Sequence, residues 1–423
     1  QGNPLLTSDS ARVIVNQIQS SNPSLLRGYI EVAGQRAQVV MANPAGISCE
    51  GCGFIQADRA VLTTGQVGLN PATGALDNYV VRSGTVNIAN MDASQTPYVD
   101  VLARAAKVTG TVRANQLAVK AGVNTIDAST GAVRADVQTN QDQAPGDKPE
   151  AAIDIAELGG MYAGQITLLA TENGVGVRNM GNIRGGEDLT LSANGQLLNS
   201  GTLAAGGTLN VQSESLLNNG ILYGGQNTFA TTATSLKNNQ YILSGGNITL
   251  TANGPADSLT LGSNSKLAAG LDLSEFSQAQ PTAQGAQMGS APLKPGQSIT
   301  LNAKDQANVS GTIQVAGSLL AQADTLTVSG SQLMAHDIRL ASRKGDLQAS
   351  KAQMNATTLA LETPGQFLSD DAHVQANDLQ INAGSIRNRR GELVHTGTNP
   401  FVLQTGALDN RDGFIGVAKD ATL

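Results

Sequence analysis

An apolar residue, a glycine pair, an alternating apolar run and a leucine-rich close ending in asparagine recur in succession from Gly181. Ile183, Leu203, Leu222 and Ile242 are spaced by 20, 19 and 20 residues. The pairs Gly185-Gly186, Gly206-Gly207, Gly224-Gly225 and Gly245-Gly246 keep nearly the same step, as do Asn199, Asn219 and Asn239. Self-similarity at this period marks a solenoid, in which each repeat buries its apolar face only by stacking on its neighbours. The expected fold is all-β, a right-handed parallel β-helix with about 20 residues per coil. An array of β-sandwiches is the alternative, but its units would be near 100 residues.

Composition narrows the choice further. The 423 residues contain 3% aromatics, no Trp and 48 Gly, so the core must be filled by aliphatic side chains. A thin stacked prism suits that better than a globular core, which draws on aromatic area. A net charge of −7 opposes nucleic acid as a partner, since phosphate binding requires a basic face. Arg387, Arg389 and Arg390 are the tight basic cluster and read as a solvated turn. No apolar stretch reaches the roughly 20 residues of a spanning helix. The start at Gln1 and the end just after a repeat read as a piece of a longer protein, because solenoid ends need polar caps.

Period-2 runs bounded by turn residues dominate, as at Arg12 to Val15, Gln38 to Met41, Val61 to Thr63, Lys107 to Val112 and Gln165 to Leu169. The segment 281–295, rich in Gln, Ala, Gly and Pro, reads as an excursion loop, and 138–150 as a second. Beyond the first loop, Ile338/Leu340, Leu359/Leu361 and Leu379/Ile381 recur at 21 and 20 residues, and Leu408-Asp409-Asn410 follows Ile386-Arg387-Asn388 by 22. Asparagine at fixed coil positions is expected to take the left-handed backbone of a corner and to stack as a hydrogen-bonded ladder. Glycine is expected to do the same at the other corner. Residues 1–180 are less regular than 181–423, which places a boundary near Asn179.

The two cysteines form Cys49-Glu50-Gly51-Cys52. Such a pair can be a redox site, half a zinc site or a structural disulfide. Zinc needs two further ligands, and His336, His373 and His395 lie far along the chain. A redox pair is expected beside a βαβ pattern, which is absent. A structural disulfide that shapes a protruding loop is favoured, and with it an oxidising compartment.

Asn43-Pro44-Ala45-Gly46-Ile47, followed by the CxxC and Gly53-Phe54-Ile55, resembles the signature of two-partner secretion exoproteins. Asn3-Pro4-Leu5-Leu6 resembles their upstream motif; Leu158-Gly159-Gly160-Met161-Tyr162-Ala163 and 171–179 resemble the segment closing their secretion domain. The later units resemble filamentous-haemagglutinin repeats. Both signatures have lost their second asparagine, at Leu5 and Ala45, and the strands that usually precede the first are missing. With Ser20 to Pro23 and Arg27 to Gln35, the chain is most similar to contact-dependent growth inhibition exoproteins, filaments that carry a toxin at the far C-terminus.

The resemblance implies a secretion domain over 1–180 and scaffold repeats over 181–423. It implies export to the cell surface through an outer-membrane barrel whose periplasmic POTRA domains bind by strand addition. It also implies a receptor on target cells reached through regions beyond this chain. The secretion residues carried over are Asn3, Pro4, Asn43, Pro44, Gly46 and Ile47, expected to shape turns rather than to touch the transporter. A monomer with no cofactor and no metal is expected.

A filamentous-haemagglutinin adhesin is the alternative reading. A β-helix polysaccharide enzyme is a remote one, since it needs a carboxylate cluster or a Ca²⁺ site. Asp370-Asp371 reads as a solvated corner, and the three histidines read as surface positions. No catalytic residue is assigned.

Overall fold

The computed structural model describes residues 10–135, 148–255, 258–271, 293–418 and 421–422. Among them all regular structure is β-strand, with no helix. The chain forms two compact units, Gln1–Gly207 with Val211–Glu214, and Thr208–Asn210 with Ser215–Leu423. Each is built of parallel coils, as expected for a parallel β-helix.

In the first unit, Ala37–Ala42, Ala57–Thr63, the end of Thr85–Ala103, Thr111–Ala121 and Gln165–Ala170 stack in parallel register. Met41, Leu62, Val101, Val119, Leu168 and Leu191 form one inward column, all buried. The expected strand Lys107 to Val112 is instead broken at Thr109-Gly110, between Ala105–Val108 and Thr111–Ala121. A Cβ on Gly110 would run into the Ala89 carbonyl, so a coil corner lies there.

Four strands stand outside the coils, against the expectation that every short strand belongs to the helix. Gln66–Leu69, Leu76–Val81, Asn124–Asp127 and Val133–Ala135 form an antiparallel sheet. Its Tyr79, Val81 and Ile126 pack on Val40, Ala42, Val61 and Leu102 of the coils. The reason lies in Ala37–Ala42, which is apolar on both faces and therefore needs cover on both. Burial pushes the Tyr79 phenol up. Beside it burial also pushes the Asp100 carboxyl up and Lys120 down, although Arg59 lies 3.4 Å from Asp100.

In the second unit the repeat positions read from sequence are Cα partners. Leu222 pairs Ile242, Ile338 pairs Leu359, Leu359 pairs Leu379, and Ile386 pairs Leu408. Three inward columns fill each coil, exemplified by Ile242, Leu250 and Leu259, all fully buried. The chain leaves its coil after Ala269 and returns at Ser298, which pairs beside Ile248 to Ile299. Residues 281–292 of the expected excursion and 138–147 of the other loop lie outside the described residues.

The asparagine ladder is real, and at two of the expected positions, Asn219 and Asn239, it is shifted by one residue. The rungs include Asn179 to Asn199, 2.8 Å, in the first unit, and Asn218 to Asn238, 2.6 Å, and Asn388 to Asn410, 2.7 Å, in the second, the last at the positions read from sequence. Asn219 and Asn239 also bond to each other, but on the surface. The expected cause is overturned as well: none of these asparagines, nor any of the four glycine pairs, has a positive φ. Asn218 is needed because its amide binds both the N–H and the C=O of Gly220, closing the corner from inside. Gly245 is needed because a Cβ there would meet the Gly225 carbonyl of the coil below.

Left-handed backbone sits at a different corner. Gly330, Lys351, Asp371, Arg390 and Asp412 all have φ between +53° and +71° and are linked coil to coil by backbone bonds such as Lys351 N–H to Asp370 C=O. Replacing Lys351 with glycine is expected to raise the stability of this unit by about 0.5–1 kcal/mol. Relief of left-handed strain exceeds the entropy that glycine adds to the unfolded chain. Equilibrium denaturation reads the difference; a loss of stability would refute it.

The arginines at this corner are not merely solvated. Arg387 pairs with Asp370, Arg390 with Asp371, and Arg389 with Asp409, at 2.7 to 2.8 Å. Arg390 holds the Asp371 carboxyl below its ordinary range.

Candidate functional site

Asn43 is buried, and its side chain is spent inside the fold. The Oδ1 accepts the Ala45 N–H at 2.9 Å, making an Asx turn, while Nδ2 donates to the Asn22 carbonyl and the Ser24 hydroxyl. The Gly46 N–H closes the turn onto the Asn43 carbonyl at 3.0 Å. Gly46 has φ +119°, which a side chain rarely adopts, and a Cβ there would lie 3.1 Å from the Thr85 carbonyl. Ile47 then enters the core, and half-buried Pro44 borders a cavity of about 260 Å³ with Ile18 and Gln66. Asn3 and Pro4 lie outside the described residues.

A signal overlooked in the sequence is that Asn22-Pro23 precedes Asn43-Pro44 by 21 residues. The structure stacks these turns: Ser24 N–H donates to the Gly46 carbonyl, and Pro23 lies 3.7 Å from the Gly46 Cβ position.

Cys49 and Cys52 are joined by a disulfide, Cα to Cα 5.3 Å, and both are buried. The bond does not shape a protruding loop. It pinches a bulge within the strand Ile47–Ile55, where the register slips on both neighbouring strands. Gly51 takes φ +77°, and exposed Glu50 pairs with Arg27 at 2.8 Å.

The segment 171–179 ties distant coils together. Glu172, 1% exposed, receives two hydrogen bonds from Arg104, at 3.1 and 3.2 Å, where the chain leaves the strand Thr85–Ala103. Thr171 donates to Asn124 at 2.6 Å, and Asn194 to the Thr171 carbonyl at 2.8 Å. Arg178 grips Asp154 with two bonds and holds its carboxyl low. Sequence reasoning quoted this segment without seeing that Glu172 is an internal anchor; its partner lies 68 residues away.

His336 and His373 are exposed, each beside a carboxylate. His395 is 1% exposed, which corrects the expected surface position. Its Nδ1 accepts the Leu379 N–H and its Nε2 donates to the Asn399 carbonyl, so the ring is a structural plug between strands. Among the described residues no group of three His, Cys, Asp or Glu could hold a metal ion.

Residues 6–199 match the family model described as the TPS secretion domain. The chain is 40% identical over 433 aligned residues to "Toxin CdiA" of Yersinia pestis, covering 97% of this chain and 12% of that protein. It is 32% identical to "16S rRNA endonuclease CdiA" of Enterobacter cloacae, over 92% of this chain and 11% of that protein. It is 43% identical to "tRNA nuclease CdiA" of Escherichia coli strain STEC_O31, over 49% and 6%. The chain thus spans about an eighth or less of the length of these curated relatives. The crystal structure of a filamentous hemagglutinin secretion domain is 26% identical and covers 63% of this chain and 75% of that one, with a TM-score of 0.42.

Proposed function

We propose, from the match of residues 6–199 to the TPS secretion-domain family model, that the chain is the export and scaffold part of an exoprotein delivering a toxin to neighbouring bacteria. The observation that carries this is the match over 6–199 combined with similarity along 97% of the chain to a protein named as a toxin. The partner is an outer-membrane barrel transporter, whose periplasmic POTRA domains receive the secretion domain. The relatives named as nucleases extend far beyond the aligned region, and their chemistry is assigned to that remaining length. This chain is assigned no catalysis: its acidic pair, Asp370 and Asp371, is held by Arg387 and Arg390. The adhesin reading has no specific observation in its favour.

Within this reading residues 1–180 are the secretion domain and 181–423 the repeat scaffold. Asn43, Pro44, Gly46 and Ile47 serve export by shaping a turn, and the buried, internally bonded Asn43 side chain supports that role. Asn3 and Pro4 are assigned the same role.

Co-expression of the full-length exoprotein with its transporter tests the proposal, with secreted protein measured in the medium. Replacing Asn43 by Ala together with Gly46 by Val should leave only a small fraction of wild-type export, because the turn loses both its Asx bond and its positive-φ residue. Undiminished export would remove the turn from the secretion function. Wild-type protein retained in the periplasm despite an active transporter would overturn the export assignment itself.

A further inference from the structure

One cavity of the first unit is lined by charges that the fold leaves only partly bonded. It measures about 190 Å³ and lies on the outer face of the coils, against the turn of the antiparallel sheet at Thr130 and Gly131. Outward residues of four neighbouring strands meet there in register. Arg59, Tyr98, Gln116 and Gln165 form one row, and Asp100, Ala118 and Thr167 the next. Lys120 stands beyond them and donates to the Gly131 carbonyl at 2.7 Å. Ala118 is the small residue of the second row, so the floor is low between Asp100 and Thr167.

The Asp100 side chain is 13% exposed, yet it meets the Arg59 Nε only at 3.4 Å, longer than an ordinary N–H···O bond. Arg59 lies over the Tyr98 ring, 5.2 Å from its centroid, and makes no hydrogen bond among the described residues. Its two terminal amino groups are therefore open donors. The side chains of Gln116, Gln165 and Thr167 also make no hydrogen bond among the described residues. Burial raises the Asp100 carboxyl and lowers Lys120, as in a polar network short of partners. The structural pairs of this unit differ: Arg104 with Glu172 and Arg178 with Asp154 are hydrogen-bonded at 2.8 to 3.2 Å.

Going beyond the export reading, we propose that this cavity binds a uronic acid unit of an acidic polysaccharide. The sugar carboxylate meets the open edge of the Arg59 guanidinium, a fork that matches it in two-point geometry. Ring hydroxyls both donate and accept, which suits the Gln116 and Gln165 amides, the Thr167 hydroxyl and the Asp100 carboxylate. Two cations against one carboxylate favour an anion, although the whole chain carries a net charge of −7. Asp100 in turn repels a compact, multiply charged ion such as free phosphate. The volume is below the roughly 300 Å³ at which pockets for drug-sized ligands begin, so the occupant is a single ring.

The test is a ligand-observed NMR titration of the full chain with galacturonate and with glucuronate. Galactose and acetate serve as the two halves of the ligand. A uronate should bind with a Kd on the order of 1 mM, the scale of so small a polar ligand. Galactose and acetate should each bind at least about 10-fold more weakly. Arg59→Gln should weaken uronate binding about 10-fold, and Gln116→Leu/Thr167→Val by a similar factor. Lys237→Ala, at an exposed position of the second unit, should leave it unchanged. Melting curves show that each variant is folded.

Acetate binding as tightly as uronate would reduce the site to an anion contact and overturn the sugar. Galactose binding as tightly would overturn the acidic class. Uronate binding that ignores both Arg59→Gln and the double variant would overturn this cavity as its location. Binding of neither uronate up to about 10-fold the expected Kd would overturn the site itself. Each of these results leaves the export reading standing, since that reading rests on none of these residues.

Discussion

Glu172→Ala is expected to lower the stability of the first unit by about 3–5 kcal/mol, because it breaks a buried ion pair from one side. The Glu172 side chain is 1% and the Arg104 side chain 11% exposed, and the two are joined by two hydrogen bonds. Arg104 therefore loses the Glu172 carboxylate where little water can replace it. The cost is that of removing one partner from a buried pair, not the net worth of the pair. Substituting both partners, Arg104→Met with Glu172→Leu, should accordingly recover most of the loss. Urea denaturation of the four proteins of this cycle makes the comparison. A loss below about 1 kcal/mol for Glu172→Ala, the range of an exposed pair, would show that the site is hydrated and the anchor weak.

Asn218→Leu is expected to destabilise the second unit by about 3 kcal/mol or more, despite the similar volume and the apolar surroundings. The substitution leaves the Gly220 N–H, the Tyr241 carbonyl and the Asn238 Oδ1 without the amide that meets them, while the Gly220 carbonyl keeps only the Tyr241 N–H. Each unsatisfied buried group costs about 1–3 kcal/mol, and part of that is recovered by relaxation. Asn219→Leu, one residue along, should change stability by less than about 0.5 kcal/mol, because Asn219 is exposed and bonds only to its surface neighbour among the bonds described. Hydrogen exchange at the Gly220 amide offers a local reading of the same contrast. Equal effects of the two substitutions would show that the buried rung is not what holds the corner.

The shift from Asn219 to Asn218 illustrates where the sequence stops being sufficient. Two of the repeats end in two asparagines, Asn218-Asn219 and Asn238-Asn239, and a periodicity count accepts either. Only side-chain direction separates them, since neighbours on a strand point to opposite faces. His395 is a similar case. Its isolation in sequence said nothing about the Leu379 amide and the Asn399 carbonyl that receive it.

The sequence by itself determined the coil. A period near 20 residues, aliphatic alternation and scarce aromatics admit few folds other than a stacked parallel β-helix, because that pattern buries its apolar face only against a copy of itself. It also determined the Asn43 turn, whose Asn-Pro-x-Gly chemistry is local. Tertiary structure alone decided the antiparallel sheet over Val40 and Val61, the Arg104 to Glu172 anchor and the cavity that gathers Arg59, Tyr98 and Gln116. Irregular coil lengths in the first unit separate those partners by unequal steps, from 18 to 68 residues. No fixed period can find them, and the register of the strands brings them together.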